Sequence, residues 1–174
     1  MNRPLLSRPG PKTDMKHVFW VTEELAGRPG PMKYPWDISE LGEHFNTIIS
    51  LVKVDSRPIV EVGRMDHVLM PSSEFHGPTA EQMGDMNHIL DGMDDAREKG
   101  WSLIGGPPYL FHCYAGRGRT CTAIAGRLVW QGMNPLKALK WVKDACPGMN
   151  VTKAQMRELV RLGMAVREMG EKSR

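Results

Sequence analysis

The stretch His112-Cys113-Tyr114-Ala115-Gly116-Arg117-Gly118-Arg119-Thr120 puts a thiol and a guanidinium at the two ends of a glycine-bearing turn. A thiol can attack phosphorus, and a planar, permanently charged fork can hold two phosphate oxygens while it does so. Gly116 and Gly118 allow backbone conformations closed to other residues, so several N–H groups can face one anion. If the turn opens a helix, it also gains that helix's unpaired amides and the positive end of its dipole. The same field favours a sulfur anion over a thiol, so Cys113 is expected to be a ready nucleophile. The expected phosphate cradle is Cys113, Tyr114, Ala115, Gly116, Arg117, Gly118 and Arg119. His112 can fix the loop through its hydrogen bonds, and the Thr120 hydroxyl can stabilise sulfur as it leaves a phosphocysteine.

This chemistry needs a strand to deliver the cysteine and a helix to receive the arginine. Tyr109-Leu110-Phe111 is short and apolar like a buried strand, and Ile124, Leu128 and Val129 recur at helical spacing through 120–131. Elsewhere strands are expected at 47–52 and 67–70. A helix over 37–45 can be capped by Asp37 or Ser39. Thr79 and Gln82 form a capping box whose helix carries Met83, Met86, Leu90, Met93 and Arg97 on one stripe, the methionines as core filler. Asn134-Pro135 opens a helix over 136–145, and Thr152 caps another that runs to about Met169. Strands alternating with helices imply an α/β domain, a mainly parallel central sheet flanked by helices that binds ligands at its C-terminal edge.

Cys-x5-Arg preceded by His and followed by Thr resembles the signature of the protein tyrosine phosphatase superfamily, and the size resembles its small atypical dual-specificity members. The resemblance extends over most of the chain. Phe19-Trp20-Val21, Leu25-Ala26-Gly27 and Pro31 are similar to that family's first strand and the glycine-proline turn after it. Cys146-Pro147-Gly148-Met149-Asn150-Val151-Thr152-Lys153-Ala154-Gln155 resembles its Arg-Pro-Gly turn and Thr-x-x-Gln, which makes Gln155 the residue that places the hydrolytic water. The resemblance implies a protein tyrosine phosphatase-like fold and a hydrolase using a phosphocysteine intermediate, with no cofactor and no metal.

Two positions depart from the pattern. The family's general-acid aspartate commonly follows Ile-Pro, but here Met70-Pro71 is followed by Ser72. Counting back from the next helix, Glu74-Phe75-His76-Gly77-Pro78 falls where relatives read Asp-Phe-x-x-Pro, so Glu74 becomes the acid, with His76 behind it. Cys121 stands where relatives usually carry glycine, close enough in sequence to Cys113 to suggest a protective disulfide. Arg117 adds a second cation to the loop, as in phosphoinositide 3-phosphatases. The resemblance makes phosphoproteins the expected leading substrates, and Arg117 adds inositol phosphates, phosphoinositides and RNA 5′-phosphate ends as the alternatives. A module that binds phosphate without turnover, and a sulfur- or arsenate-transfer enzyme, are the readings from other classes.

At 174 residues and 41% apolar composition the chain suits one domain. The expected division is a flexible basic N-terminal tail over 1–17, a cysteine phosphatase domain over 18–169 and a C-terminal tail over 170–174. The net charge of +3 is carried by Arg3, Arg8, Lys12 and Lys16 against Asp14, so the body is near neutral and no stable nucleic-acid binding is expected. No run of about eighteen apolar residues predicts a membrane span. Three cysteines without metal-type spacing suit a reducing, cytoplasmic setting. His17, His44, His67, His76 and His88 show no zinc spacing, and Asp91, Asp94 and Asp95 read as a solvated helix end.

Overall fold

The computed structural model describes residues 15–173. Five strands form one sheet: β1 (Phe19–Trp20), β2 (Leu25–Arg28), β3 (Thr47–Ser50), β4 (Asp66–Leu69) and β5 (Tyr109–His112). Their order is β1-β2-β5-β3-β4, with β1 antiparallel to β2 and every other pairing parallel. Parallel strands are joined by helices that cover both faces, which is why β2, β3 and β5 are buried along their whole length. The register sets Arg28, His112, Ser50 and Leu69 on one rung at the C-terminal edge.

The described residues also form six helices: α1 (Ile38–His44), α2 (Arg57–Val60), α3 (Ala80–Glu98), α4 (Arg119–Trp130), α5 (Pro135–Ala145) and α6 (Lys153–Lys172). Their starts follow the sequence closely. Asp37 accepts from the Glu40 amide, Asn134 from the Leu136 amide, and Thr79/Gln82 and Thr152/Gln155 both close capping boxes. One core cluster, including Met83, Met86, Leu90, Phe111, Ile124, Leu128, Leu159 and Leu162, lies between the sheet and α3, α4 and α6. A second, around Leu41, Phe45, Ile48, Ile59 and Leu110, fills the opposite face. No helix among the described residues is long and apolar enough to cross a membrane.

Three boundaries differ from expectation. Leu25–Arg28 is a fully buried strand of the sheet, not the lead into a turn, because burial between Phe19 and β5 outweighs the poor strand propensity of Gly27. α6 continues to Lys172, carried past the poor helix former Gly170 by Glu171 and Lys172, so most of the tail expected over 170–174 is helical. Of the tail expected over 1–17, residues 1–14 lie outside the described residues. Met15 packs against the second core cluster and His17 stacks on Tyr34 with ring centroids 3.8 Å apart, so the body begins before residue 18.

Candidate active site

β5 delivers Cys113, and the following residues curl back onto the start of α4 at Arg119. The Cys113 side chain is buried, and the Gly116 N–H donates to its Sγ at 3.2 Å. An amide aimed at sulfur is the arrangement that stabilises negative charge there. Helix α4 has no side-chain cap, so its first turn is left for another acceptor. Gly116 adopts φ +72°, and a Cβ there would stand 2.6 Å from the Arg28 carbonyl carbon. Gly30 is needed for close approach, since its Cβ would lie 2.2 Å from the Cys113 carbonyl oxygen. Its N–H donates to Tyr114 O at 2.9 Å, and the Asn150 N–H donates to Arg117 O at 2.9 Å, so the loop is held from both flanks.

Tyr114 and Arg117 are exposed, and Ala115 is half-buried. The Arg117 guanidinium lies against Gly148, and no carboxylate among the described residues pairs with it. Arg119 is half-buried and donates through Nη1 to Ser72 O at 3.0 Å, which ties the arginine to the loop carrying Glu74. The Thr120 and Ser72 hydroxyl oxygens are buried with no hydrogen-bond partner. A buried hydroxyl left unpaired at such a loop fits a partner that arrives with the substrate or forms during the reaction.

The Glu74 loop meets the phosphate loop through Gln155. Gln155 is buried, accepts from the Thr152 amide at 2.9 Å and donates to Glu74 O at 3.3 Å. Its amide lies 3.5 Å from where a Gly118 Cβ would stand. Thr152 Oγ1 donates to Phe75 O at 2.9 Å, which holds the same loop a second time. The Glu74 carboxylate and His76 are exposed.

Behind the loop lies a polar chain that sequence reasoning missed. His112 Nδ1 lies 3.1 Å from Cys113 O, while its Nε2 bonds Ser50 Oγ. Ser50 also bonds His67 Nε2 at 2.7 Å, and His67 Nδ1 bonds Ser56 Oγ at 2.7 Å. Arg28 was missed too: buried, it donates to Pro29 O at 3.0 Å and Tyr34 O at 3.2 Å and shapes the segment abutting the loop. Trp36 packs its ring edge-on to His112, with centroids 4.5 Å apart. Only strand register and loop closure bring these residues together, and no local motif marks them.

Burial pushes the His112 pKa from an ordinary 6.5 down to about 4, against the smaller opposing effect of its bond to Cys113 O. An unfolded chain would bind a proton at His112 between those values while the folded chain does not. The stabilisation is therefore complete above pH 6.5 and is lost as pH falls to about 4, at most about 3 kcal/mol. Urea unfolding from pH 7 to pH 4.5 is expected to show His112→Gln losing less stability than the parent over that interval. Equal slopes would contradict a neutral buried imidazole.

All three cysteines are free. The Cys121 thiol donates to Gly116 O at 3.7 Å, and the neighbouring Cys146 sulfur, with burial, raises the Cys121 pKa while that of Cys146 is lowered. The disulfide between Cys113 and Cys121 that their closeness in sequence suggested is absent here, where both thiols are free.

Solved structures of this architecture include structures of phosphatases. The active form of Tk-PTP superposes with a TM-score of 0.72 at 20% identity, covering 86% of this chain and 98% of that one. PTPMT1 in complex with PI(5)P gives 0.70 at 13% identity, covering 89% and 99%. Human DUSP28 gives 0.64 at 15% identity, covering 91% and 99%. The chain has the protein tyrosine phosphatase-like fold over nearly the whole length of these structures. No family model and no curated protein sequence matches it.

Proposed function

We propose that the chain is a phosphomonoester hydrolase working through a phosphocysteine intermediate, of the protein tyrosine or dual-specificity phosphatase type. The observation that carries this is the Gly116 amide donating to a buried Cys113 sulfur at the uncapped start of α4. Cys113 Sγ attacks phosphorus and the P–O ester bond breaks. Amides of 114–119 and the Arg119 fork stabilise the equatorial oxygens. Glu74 gives its proton to the leaving oxygen, then takes one from the water that attacks the phosphocysteine, with Gln155 placing that water. Thr120 Oγ1 donates to the sulfur as phosphate departs. His112 keeps the loop in shape and transfers no proton.

The substrate is proposed to be phosphotyrosine in protein, with or without phosphoserine and phosphothreonine. Arg117, exposed and without a carboxylate partner among the described residues, favours soluble or lipid-borne inositol phosphates as the second reading. Comparing phosphate release from an aryl phosphate, a phosphotyrosyl peptide, a phosphoseryl peptide and an inositol polyphosphate separates the two. In the same panel, Glu74→Gln is expected to lose about 10²-fold or more on the alkyl phosphoseryl ester and much less on an aryl phosphate whose leaving group needs no proton. Equal losses on both would remove Glu74 as the acid.

A further inference from the structure

The hydrogen bonds from Ser56 to His67, Ser50, His112 and Cys113 O run in file, and their direction is fixed by the last acceptor. A carbonyl oxygen only accepts, so His112 Nδ1 carries the proton. His112 is neutral at pH 7, so its Nε2 is bare and takes the Ser50 hydroxyl proton. Ser50 Oγ can then only accept from His67, which makes His67 Nε2 the protonated nitrogen. His67, also held toward neutrality by burial, presents a bare Nδ1 to the Ser56 hydroxyl. Every donor in the chain therefore points toward the cysteine peptide, and hydrogen bonds aligned in this way polarise one another.

We propose that His67 is a positioning residue for the phosphate loop, acting through Ser50 to hold His112 in the Nδ1-protonated tautomer that grips the Cys113 carbonyl. In the other tautomer a bare Nδ1 would face that carbonyl, two acceptors 3.1 Å apart. The Cys113–Tyr114 peptide would turn away, and the Tyr114 amide would turn with it. With His67 in place, Ser50 Oγ is occupied as an acceptor and its proton is committed to His112. Without His67, Ser50 can equally accept from His112 Nε2, and the two tautomers compete. The kinetic consequence rests on the proposed phosphatase activity; the tautomer does not.

The test uses the full chain with ¹⁵N-labelled histidine, reading the His112 ring pattern at pH 7 beside kcat and KM for an aryl phosphate. His67→Leu is expected to turn a single Nδ1–H pattern into an averaged one. It should lower kcat about tenfold, the equivalent of one lost hydrogen bond, with KM within about twofold. His67→Gln, whose amide can donate to Ser50 and accept from Ser56, should restore both. Ser50→Ala, which removes the link and leaves His67, should reproduce the His67→Leu ring pattern. An unchanged Nδ1–H pattern in His67→Leu or Ser50→Ala overturns the proposal, as does a folded His67→Gln that behaves like His67→Leu. A parent chain with the Nδ1–H pattern but no turnover of any phosphate ester refutes the phosphatase reading instead, and the ring patterns alone then decide the role of His67.

Discussion

Cys113→Ser is expected to lower turnover of an aryl phosphate by at least about 10⁴-fold, while binding of a phosphotyrosyl peptide stays within about threefold of the parent. The asymmetry follows from where the charges lie. Binding uses the loop amides and Arg119, and a serine oxygen can still accept from the Gly116 N–H that now meets sulfur at 3.2 Å. Turnover on the proposed route needs a nucleophile that attacks without a general base, because among the described residues the histidine beside it is not free to activate a hydroxyl. His112, adjacent in the chain, is committed at both nitrogens, to Ser50 and to the Cys113 carbonyl, and burial keeps it neutral. Gln155 cannot accept a proton, and the Glu74 loop is assigned to the leaving group. Titration calorimetry with the peptide, beside steady-state release of phosphate, measures the two quantities separately. Tight binding with no turnover in the parent would make the chain a phosphate-binding module, and a serine form that kept its rate would remove sulfur from the mechanism.

The parts of this site legible in the sequence are those whose chemistry is contiguous. Cys113 through Thr120 lie in one turn, so residue type and spacing carried the candidate nucleophile, the expected cradle and the strand-to-helix setting together, and the last of these is the one the fold bears out. Thr152 was legible because an N-cap is local, whereas Gln155 entered through the resemblance, and its place in the capping box emerges only in the structure. His67 and Ser50 were not, being 17 residues apart and joined to His112, 62 residues from Ser50, only by parallel register. His67 belongs to a set of histidines without zinc spacing, and spacing along the chain is blind to a serine bridge between two imidazoles. Strand β2 was hidden by its glycine and the proline after it, local turn signals that burial between two strands overrides. Asp94 was misread for the opposite reason: an acidic run near a helix end is usually solvated, and its partner lies 33 residues further on.

That partner gives the largest stability effect expected of any single substitution. Arg127 is 1% exposed and Asp94 3%, and their Nη2–Oδ2 separation is 2.8 Å. Nη1 reaches Asp91 at 2.7 Å and Asn87 Oδ1 at 3.2 Å, while Asp94 Oδ1 accepts from the Tyr109 hydroxyl at 2.6 Å. The phenol of Tyr109 is correspondingly held far above its ordinary pKa, by burial first and by Asp94 next. One guanidinium thus joins α4 to α3 and, through Asp94, to β5, the helix and strand on either side of the phosphate loop. Taking it away leaves a carboxylate in the core without its cation, so Arg127→Met is expected to cost about 3–5 kcal/mol, or roughly 10 °C in Tm. If the cost comes from the stranded charge and not from lost packing, removing the charge as well should recover it. Arg127→Met with Asp94→Leu is therefore expected to regain at least half the loss in urea unfolding, while Asp91, half exposed, stays solvated. A double variant no more stable than Arg127→Met alone would instead assign the energy to the arginine stem packed among the helices, and the buried pair would then hold α3 and α4 in register at no net gain in stability.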